Sequence, residues 1–278
     1  MTRLIRSLSE ITDQIDAIVL DQWGVLHDGS APYLGVPDAL AKLDLPLAVL
    51  SNSGKRADLN AARMEAMGYP PALFMAVMTS GEALWQDFEA GRIEAEKVLA
   101  ITGSDGDAER WAEGLRLTLT DRVEEADAVL LMGLPEDGAT IAQQRKIDKA
   151  RQSGLTLYCS NPDRGSPRAD GRIVPSPGAV AHDYRERGGE VVFYGKPHRP
   201  VYSALERVLD CPPRRILMVG DSLEHDIAGA TGAGWQSALV LGGLHAASFR
   251  SDDPLGDLDL LVAESGYPPP DYMIEVVA

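Results

Sequence analysis

The chain has 278 residues, enough for one large domain or a core domain with a smaller companion. Hydrophobic residues make up 45%, and 26 basic against 42 acidic residues leave a net charge of −16. That charge excludes nucleic acid and anionic membranes as favoured partners, and any phosphate site must bring its own donors or a metal.

The opening stretch MTRLIRSLSEITDQ lacks an apolar run long enough for a signal peptide, and no stretch is long enough to span a membrane. The first predicted strand, 17–21, is continuously apolar and ends in Asp21 before a glycine-containing turn. A helix at 37–43 leads to a second apolar strand, 47–51, which runs into Ser51-Asn52-Ser53-Gly54. Helices follow at 57–67 and 80–89, strands at 98–102 and 127–132, a helix at 138–152 and a strand at 155–159. Gly and Pro concentrate at 161–178, which predicts a long loop with a short hairpin. A helix at 177–187, a strand at 191–194 ending in Gly195-Lys196-Pro197, and a helix at 199–209 come next. The strand 215–219 runs into GDSLEHD, followed by a helix at 225–233 and a strand at 237–241. The tail SGYPPPDYMIEVVA ends in an extended apolar stretch that reads as an edge strand. Alternating strands and helices predict an α/β fold, a doubly wound parallel sheet with helices on both faces. Cys159 and Cys211 belong to no C-x-x-C pair and read as reduced, structural thiols of a cytoplasmic protein.

Four segments end buried strands in chemistry-bearing residues, where open α/β sheets collect ligands. Asp21 can bind a cation or attack phosphorus; alone it reads first as a turn or cap residue. Ser51, Asn52 and Ser53 offer a hydroxyl and successive backbone N–H groups to an anion, although such a run is first of all turn chemistry. Lys196 can neutralise a phosphoryl oxygen, against the usual fate of a Lys on a solvated surface. Asp221 and Asp226 suit a hard cation such as Mg²⁺, while Asp221 or Ser222 can equally cap the following helix. Trp85, Trp111 and Tyr158 can line a pocket, but aromatics at such spacing more often pack.

In combination and in this order, the segments resemble the haloacid dehalogenase-like hydrolase superfamily. The family's D-x-D-G-x is matched by Asp21 to Val25 except at its second Asp, where Trp23 stands. Its strand-end Ser or Thr is matched by Ser51, its Lys by Lys196, and its G-D-x-x-x-x-D by Gly220, Asp221 and Asp226. About 140 residues of αβ character lie between Ser51 and Lys196, like the class with a large α/β cap after the second motif. T-S-G at 79–81, N-P-D at 161–163, P-G at 177–178 and G-K-P at 195–197 also look like its NagD-like and 4-nitrophenylphosphatase-like members.

The resemblance implies a Rossmann-like core of residues 1–78 and 190–278 with an inserted α/β cap of residues 79–189. It implies a Mg²⁺-dependent phosphatase acting on a small phosphorylated metabolite, a sugar phosphate or nucleotide, through an aspartyl phosphate on Asp21. Asp21, the Trp23 carbonyl and Asp221 would hold the metal, with Asp226 and Ser222 behind them. Ser51, Asn52, Ser53 and Lys196 would hold the phosphate, and Asn161 and Asp163 would lie near the substrate, against a plain Asx-Pro turn. Members of this class often pair through the cap, so a homodimer is implied by analogy.

Trp23 complicates that expectation. In the family the second Asp protonates the leaving oxygen and then helps activate water, general acid–base work that an indole cannot do. Three readings follow. A phosphatase comes first, with His27, Asp28 or a cap residue as the acid, or with a leaving group that needs little help. A slow or inactive phosphate-binding relative comes second. A dehalogenase comes third, since those enzymes carry an aromatic residue two places after the nucleophile. They have a different cap, however, and need no Mg²⁺.

Overall fold

The computed structural model describes residues 1–167 and 173–277. In chain order its strands are β1 (Arg3–Ile5), β2 (Ala17–Leu20), β3 (Leu47–Ser51), β4 (Ala76–Thr79), β5 (Lys97–Ile101), β6 (Thr118–Thr120), β7 (Ala128–Leu131), β8 (Thr156–Cys159), β9 (Gly165–Pro167), β10 (Ile173–Pro175), β11 (Val191–Phe193), β12 (Ile216–Gly220), β13 (Gln236–Val240) and β14 (Tyr272–Ile274). The chain divides into two compact units. The first comprises Met1–Ser51, Asp58–Met78 and Tyr202–Ala278, and the second Asn52–Ala57 and Thr79–Val201.

The first unit carries a seven-stranded sheet in the order β1-β14-β13-β12-β2-β3-β4. The central strands β12, β2 and β3 pair in parallel, Val219 opposite Leu20 and Leu20 opposite Val49. Every residue of these three strands is buried, as their uninterrupted apolar runs require when helices cover both faces. Ile18, Leu20, Val49, Leu217 and Val219 join one core with Leu26, Leu40, Met64 and Tyr69 from the loops and helices around them.

The second unit has a five-stranded parallel sheet, β11-β8-β7-β5-β6, with its own core of Leu99, Val129, Leu131, Leu157, Ile147 and Tyr184. Its helices begin on legible signals. Thr79 caps Ser80–Glu89 by accepting the Glu82 N–H, and Thr140 with Gln143 forms a capping box at the start of Ile141–Gln152. Strand β11, which a division at residue 190 gives to the other domain, hydrogen-bonds to β8 in this sheet.

Several expectations changed in detail. The tail does pair, but β14 lies inside the sheet, because the short β1 adds beyond it. The helix expected from 225 begins earlier as a π-helical turn, Leu223–Ile227, and continues as Ala228–Ala233. The helix Pro254–Ser265 was missed, although Asp253 at its N-cap and Pro254 in its first turn are start signals. The hairpin expected within 161–178 is met by β9 pairing antiparallel with β10; residues 168–172 lie outside the described residues. Trp111 is buried and Tyr158 half-buried, each edge-on to Phe88, while Trp85 lies under the Arg56 guanidinium at 3.8 Å, so all three pack within the unit. Among the described residues no helix is long and apolar enough to cross a membrane.

Candidate active site

The three central strands of the first sheet end side by side at Asp21, Ser51 and Asp221. The Asp21 N–H continues the ladder, donating to the Val219 carbonyl at 2.9 Å. After β12 the chain turns back on itself. The Ser222 hydroxyl caps the turn by accepting the His225 N–H at 3.1 Å, and this brings Asp226 to face Gly220. A Cβ on Gly220 would stand 2.1 Å from the Asp226 carboxyl carbon, so only glycine leaves space for that carboxylate. The Ser222 N–H donates to Asp226 Oδ2 at 3.0 Å. Asp21, Asp221 and Asp226 each bring one carboxylate oxygen within 4.8 Å of the others. Ser222 is therefore the cap, which leaves Asp221 for the cluster.

Backbone on two other loops fixes the Asp221 carboxylate. Its Oδ2 accepts the Leu244 N–H at 2.8 Å. Gly24, at φ +76, comes so near that a Cβ there would meet the same oxygen at 1.8 Å, and a Cβ on Gly243 would stand 2.3 Å from the Asp221 Cβ. Three convergent carboxylates at strand tips are a hard, anionic donor set that fits Mg²⁺, which prefers oxygen ligands and keeps some waters.

Gln22 points inward and is buried against Met64, while Trp23 is 52% exposed. The indole lies against Gly29, meets the His27 ring edge-on at a centroid distance of 5.6 Å, and carries the Arg63 guanidinium 5.6 Å from its ring centre. Neither neighbour considered as a substitute acid is suited to the role. His27 is buried, and its Nδ1 accepts the Gly29 N–H at 3.0 Å. Burial and then the Arg63 guanidinium hold its pKa down to about 4, so the imidazole is neutral at pH 7. Asp28 accepts the Ala31 and Ser30 N–H groups, which holds its carboxyl below the usual range and ionised.

In the second unit Lys196 is buried at the centre of the G-K-P segment. Its N–H donates to Asn52 Oδ1 at 2.6 Å, and its carbonyl accepts from Asn52 Nδ2 at 3.2 Å. Asn52 Nδ2 also donates to Asp163 Oδ1 at 2.7 Å. The N-P-D segment is an Asx turn, with the Asp163 N–H donating to Asn161 Oδ1 at 3.1 Å. The Ser53 hydroxyl accepts the Lys55 N–H at 3.3 Å, and the Ser53 carbonyl accepts from Gly81. The Asn52 side chain is thus engaged with Lys196 and Asp163, while the group expected at the phosphate is its backbone N–H.

A haloacid dehalogenase-like hydrolase family model matches residues 18–114, and a second, HAD-hydrolase-like model matches residues 193–260. Between them they cover the Asp21, Ser51, Lys196 and Asp221 segments in the expected order. The chain belongs to the haloacid dehalogenase-like hydrolases. Mouse chronophin is 26% identical over 248 residues, 86% of this chain and 85% of that protein. A crystal structure of a haloacid dehalogenase-like hydrolase from Brucella suis superposes with a TM-score of 0.78 at 27% identity, covering 99% of this chain and 100% of the other. A glycerol phosphate phosphatase from Mycobacterium tuberculosis in complex with magnesium gives a TM-score of 0.71 at 25% identity, covering 90% and 75%. The parallel sheets and the order of motifs place this hydrolase with the NagD-like class of the superfamily.

The structure adds residues that motif reading missed. Gly243 and Leu244 grip Asp221, and His245 Nε2 accepts the Leu223 N–H at 3.4 Å. Their available signal was the glycine pair directly after a buried strand, a place where backbone approaches another group closely. Arg63 beside Trp23 carried no signal, since a lone Arg on a helix reads as solvated surface. Cys159 is buried, its thiol is pushed up to about 12 by burial, and it donates to the Asn161 carbonyl, so it is a packing group and not a nucleophile.

Proposed function

We propose that this hydrolase is a Mg²⁺-dependent phosphatase of small phosphorylated metabolites, sugar phosphates or nucleotides, with Asp21 as nucleophile. The observation that carries the reading is the convergence of Asp21, Asp221 and Asp226 at the strand tips within 4.8 Å. Phosphoric monoester hydrolysis is also the activity in the names of relatives that span most of the chain, such as the glycerol-3-phosphate phosphatase of Gallus gallus. The two free cysteines fit a cytoplasmic setting.

Asp21, the Trp23 carbonyl and Asp221 would hold Mg²⁺, with Asp226 and Ser222 supporting them from behind. The bound cation would neutralise charge on the phosphoryl oxygens. One Asp21 carboxylate oxygen attacks phosphorus, the bond from phosphorus to the leaving oxygen breaks, and the leaving oxygen keeps the electron pair. Water then attacks the same phosphorus, Asp21 departs as a carboxylate, and dihydrogen phosphate is released. Ser51 and the backbone N–H groups of Asn52 and Ser53 supply hydrogen bonds to the phosphoryl oxygens, and Lys196 supplies a positive charge. Trp23 donates no proton to the leaving group, and His27 and Asp28 are poorly suited to replace it, so turnover of esters with basic leaving groups is slow.

Trp23 also favours a second reading, a protein that binds a phosphorylated ligand and barely turns it over. A panel of phosphate esters with purified protein and Mg²⁺ separates the two. The phosphatase reading expects inorganic phosphate from at least one ester, and Asp21→Asn abolishes it with the fold retained. No release from any ester, with phosphate still bound, transfers the assignment to the binder. Chloride release from chloroacetate without Mg²⁺ would make the protein a dehalogenase.

A further inference from the structure

We propose that Asp163 is a positioning residue for Lys196 and that it acts through the side chain of Asn52. The inference rests on the phosphatase reading for what Lys196 touches, but its geometry is independent of that reading.

A primary amide has one acceptor oxygen and two N–H donors. Asn52 uses them in a fixed pattern: Oδ1 accepts the Lys196 N–H at 2.6 Å, and Nδ2 donates to the Lys196 carbonyl at 3.2 Å and to Asp163 Oδ1 at 2.7 Å. Both backbone polar groups of Lys196 are thus held by one side chain. The residue before it is equally confined. Gly195 has φ +106, and a Cβ there would stand 2.4 Å from the Ser80 hydroxyl and 2.8 Å from Asn52 Oδ1. The Lys196 side chain therefore starts from a backbone gripped on both sides.

The weak point of such a grip is the amide itself, which can rotate by half a turn and exchange oxygen for nitrogen. Rotated, Asn52 would turn N–H groups toward the Lys196 N–H and its oxygen toward Asp163. Asp163 Oδ1 accepts from Asn52 Nδ2, and turning the amide oxygen toward it would set two acceptors against each other, so Asp163 favours the observed orientation. Asp163 is in turn set by the Asx turn on Asn161 and by Gly178, whose missing side chain admits the Pro162 carbonyl at 1.9 Å from where a Cβ would be. The N-P-D and P-G segments, spaced along the sequence from G-K-P, thus converge on the lysine.

The test uses the full chain with Mg²⁺ and two readouts, turnover of p-nitrophenyl phosphate and calorimetric binding of inorganic phosphate. Asp163→Ala lowers kcat/KM by about 10–100-fold, since a shift of about 1 Å in a reacting group costs about that much. It weakens phosphate binding as Lys196→Ala does and leaves Tm within a few degrees. Asp163→Asn, which keeps an acceptor, recovers part of the loss. Asn52→Asp sets two carboxylates face to face; they share a proton, so activity returns only as pH falls. Asn52→Asp with Asp163→Asn restores the wild-type pH profile. If Asp163→Ala leaves turnover and phosphate binding unchanged, or if Asn52→Asp keeps the wild-type profile, the inference is overturned while the phosphatase reading stands. If nothing turns over but Asp163→Ala and Lys196→Ala weaken phosphate binding alike, the inference stands and the phosphatase reading falls. Wild-type protein that binds no phosphate overturns both.

Discussion

On the proposed mechanism, replacing Trp23 by Asp supplies a proton donor where the indole offers none. Trp23 is 52% exposed, so about half of its surface is buried, roughly 100 Å² by the usual size of a buried aromatic side chain. At about 25 cal/mol per Å² that burial contributes at most ~2.5 kcal/mol to stability, and the contact with Arg63 adds ~0.5–1 kcal/mol. Trp23→Ala loses the same packing and gains no acid, which makes it the reference. General acid catalysis contributes about 10²–10⁴-fold, equivalent to ~2.7–5.5 kcal/mol of barrier. The gain of Trp23→Asp over Trp23→Ala is expected on an alkyl phosphate, whose leaving alkoxide needs a proton. It should be small on p-nitrophenyl phosphate, whose phenolate leaves unaided. The assay is kcat/KM for both esters at saturating Mg²⁺, with Tm and Mg²⁺ binding measured on each variant. If Trp23→Asp is no faster than Trp23→Ala on the alkyl ester while binding Mg²⁺ equally, a missing acid is not what limits this enzyme.

Gly24→Ala puts a methyl group where Asp221 Oδ2 lies and forces an alanine to φ +76. Mg²⁺ affinity should fall at least about 10-fold, and stability by about 1–3 kcal/mol, by calorimetry and chemical denaturation. Chelation of divalent ions should abolish phosphate release and lower Tm, and adding Mg²⁺ back to 100 times its Kd should restore both, with about 2.7 kcal/mol of stabilisation; a Tm indifferent to Mg²⁺ contradicts the carboxylate site. His27 has a folded pKa of about 4 against 6.5 unfolded, so the unfolded chain takes up the proton first. Its stabilising contribution is complete above pH 6.5 and is lost as pH falls toward 4, about 3 kcal/mol in all, and His27→Asn should flatten that limb of the stability profile.

Much of the candidate site was legible because it sits at the ends of buried strands. A continuous apolar run such as 17–20 or 216–219 fixes where a parallel strand lies, and the residue after it is then at the ligand-binding edge. Asp21, Ser51 and Asp221 could be found that way without coordinates, and so could the order of the motifs. Two short strands were not legible. β1 and β6 are three residues each and offer no periodic pattern, and it is β1 that makes β14 an interior strand.

Sequence by itself determined the α/β class, the superfamily and the absence of a carboxylate at residue 23, because each depends on residue type and local period. Only the tertiary structure decided what the residues near Trp23 can do. His27 and Asp28 looked like spare acids, but burial makes one neutral and turn N–H groups keep the other ionised. It also set the Asn52 side chain against the backbone of Lys196, 144 residues away along the chain. Hydrogen-bond partners at that separation are set by packing, which no local pattern encodes.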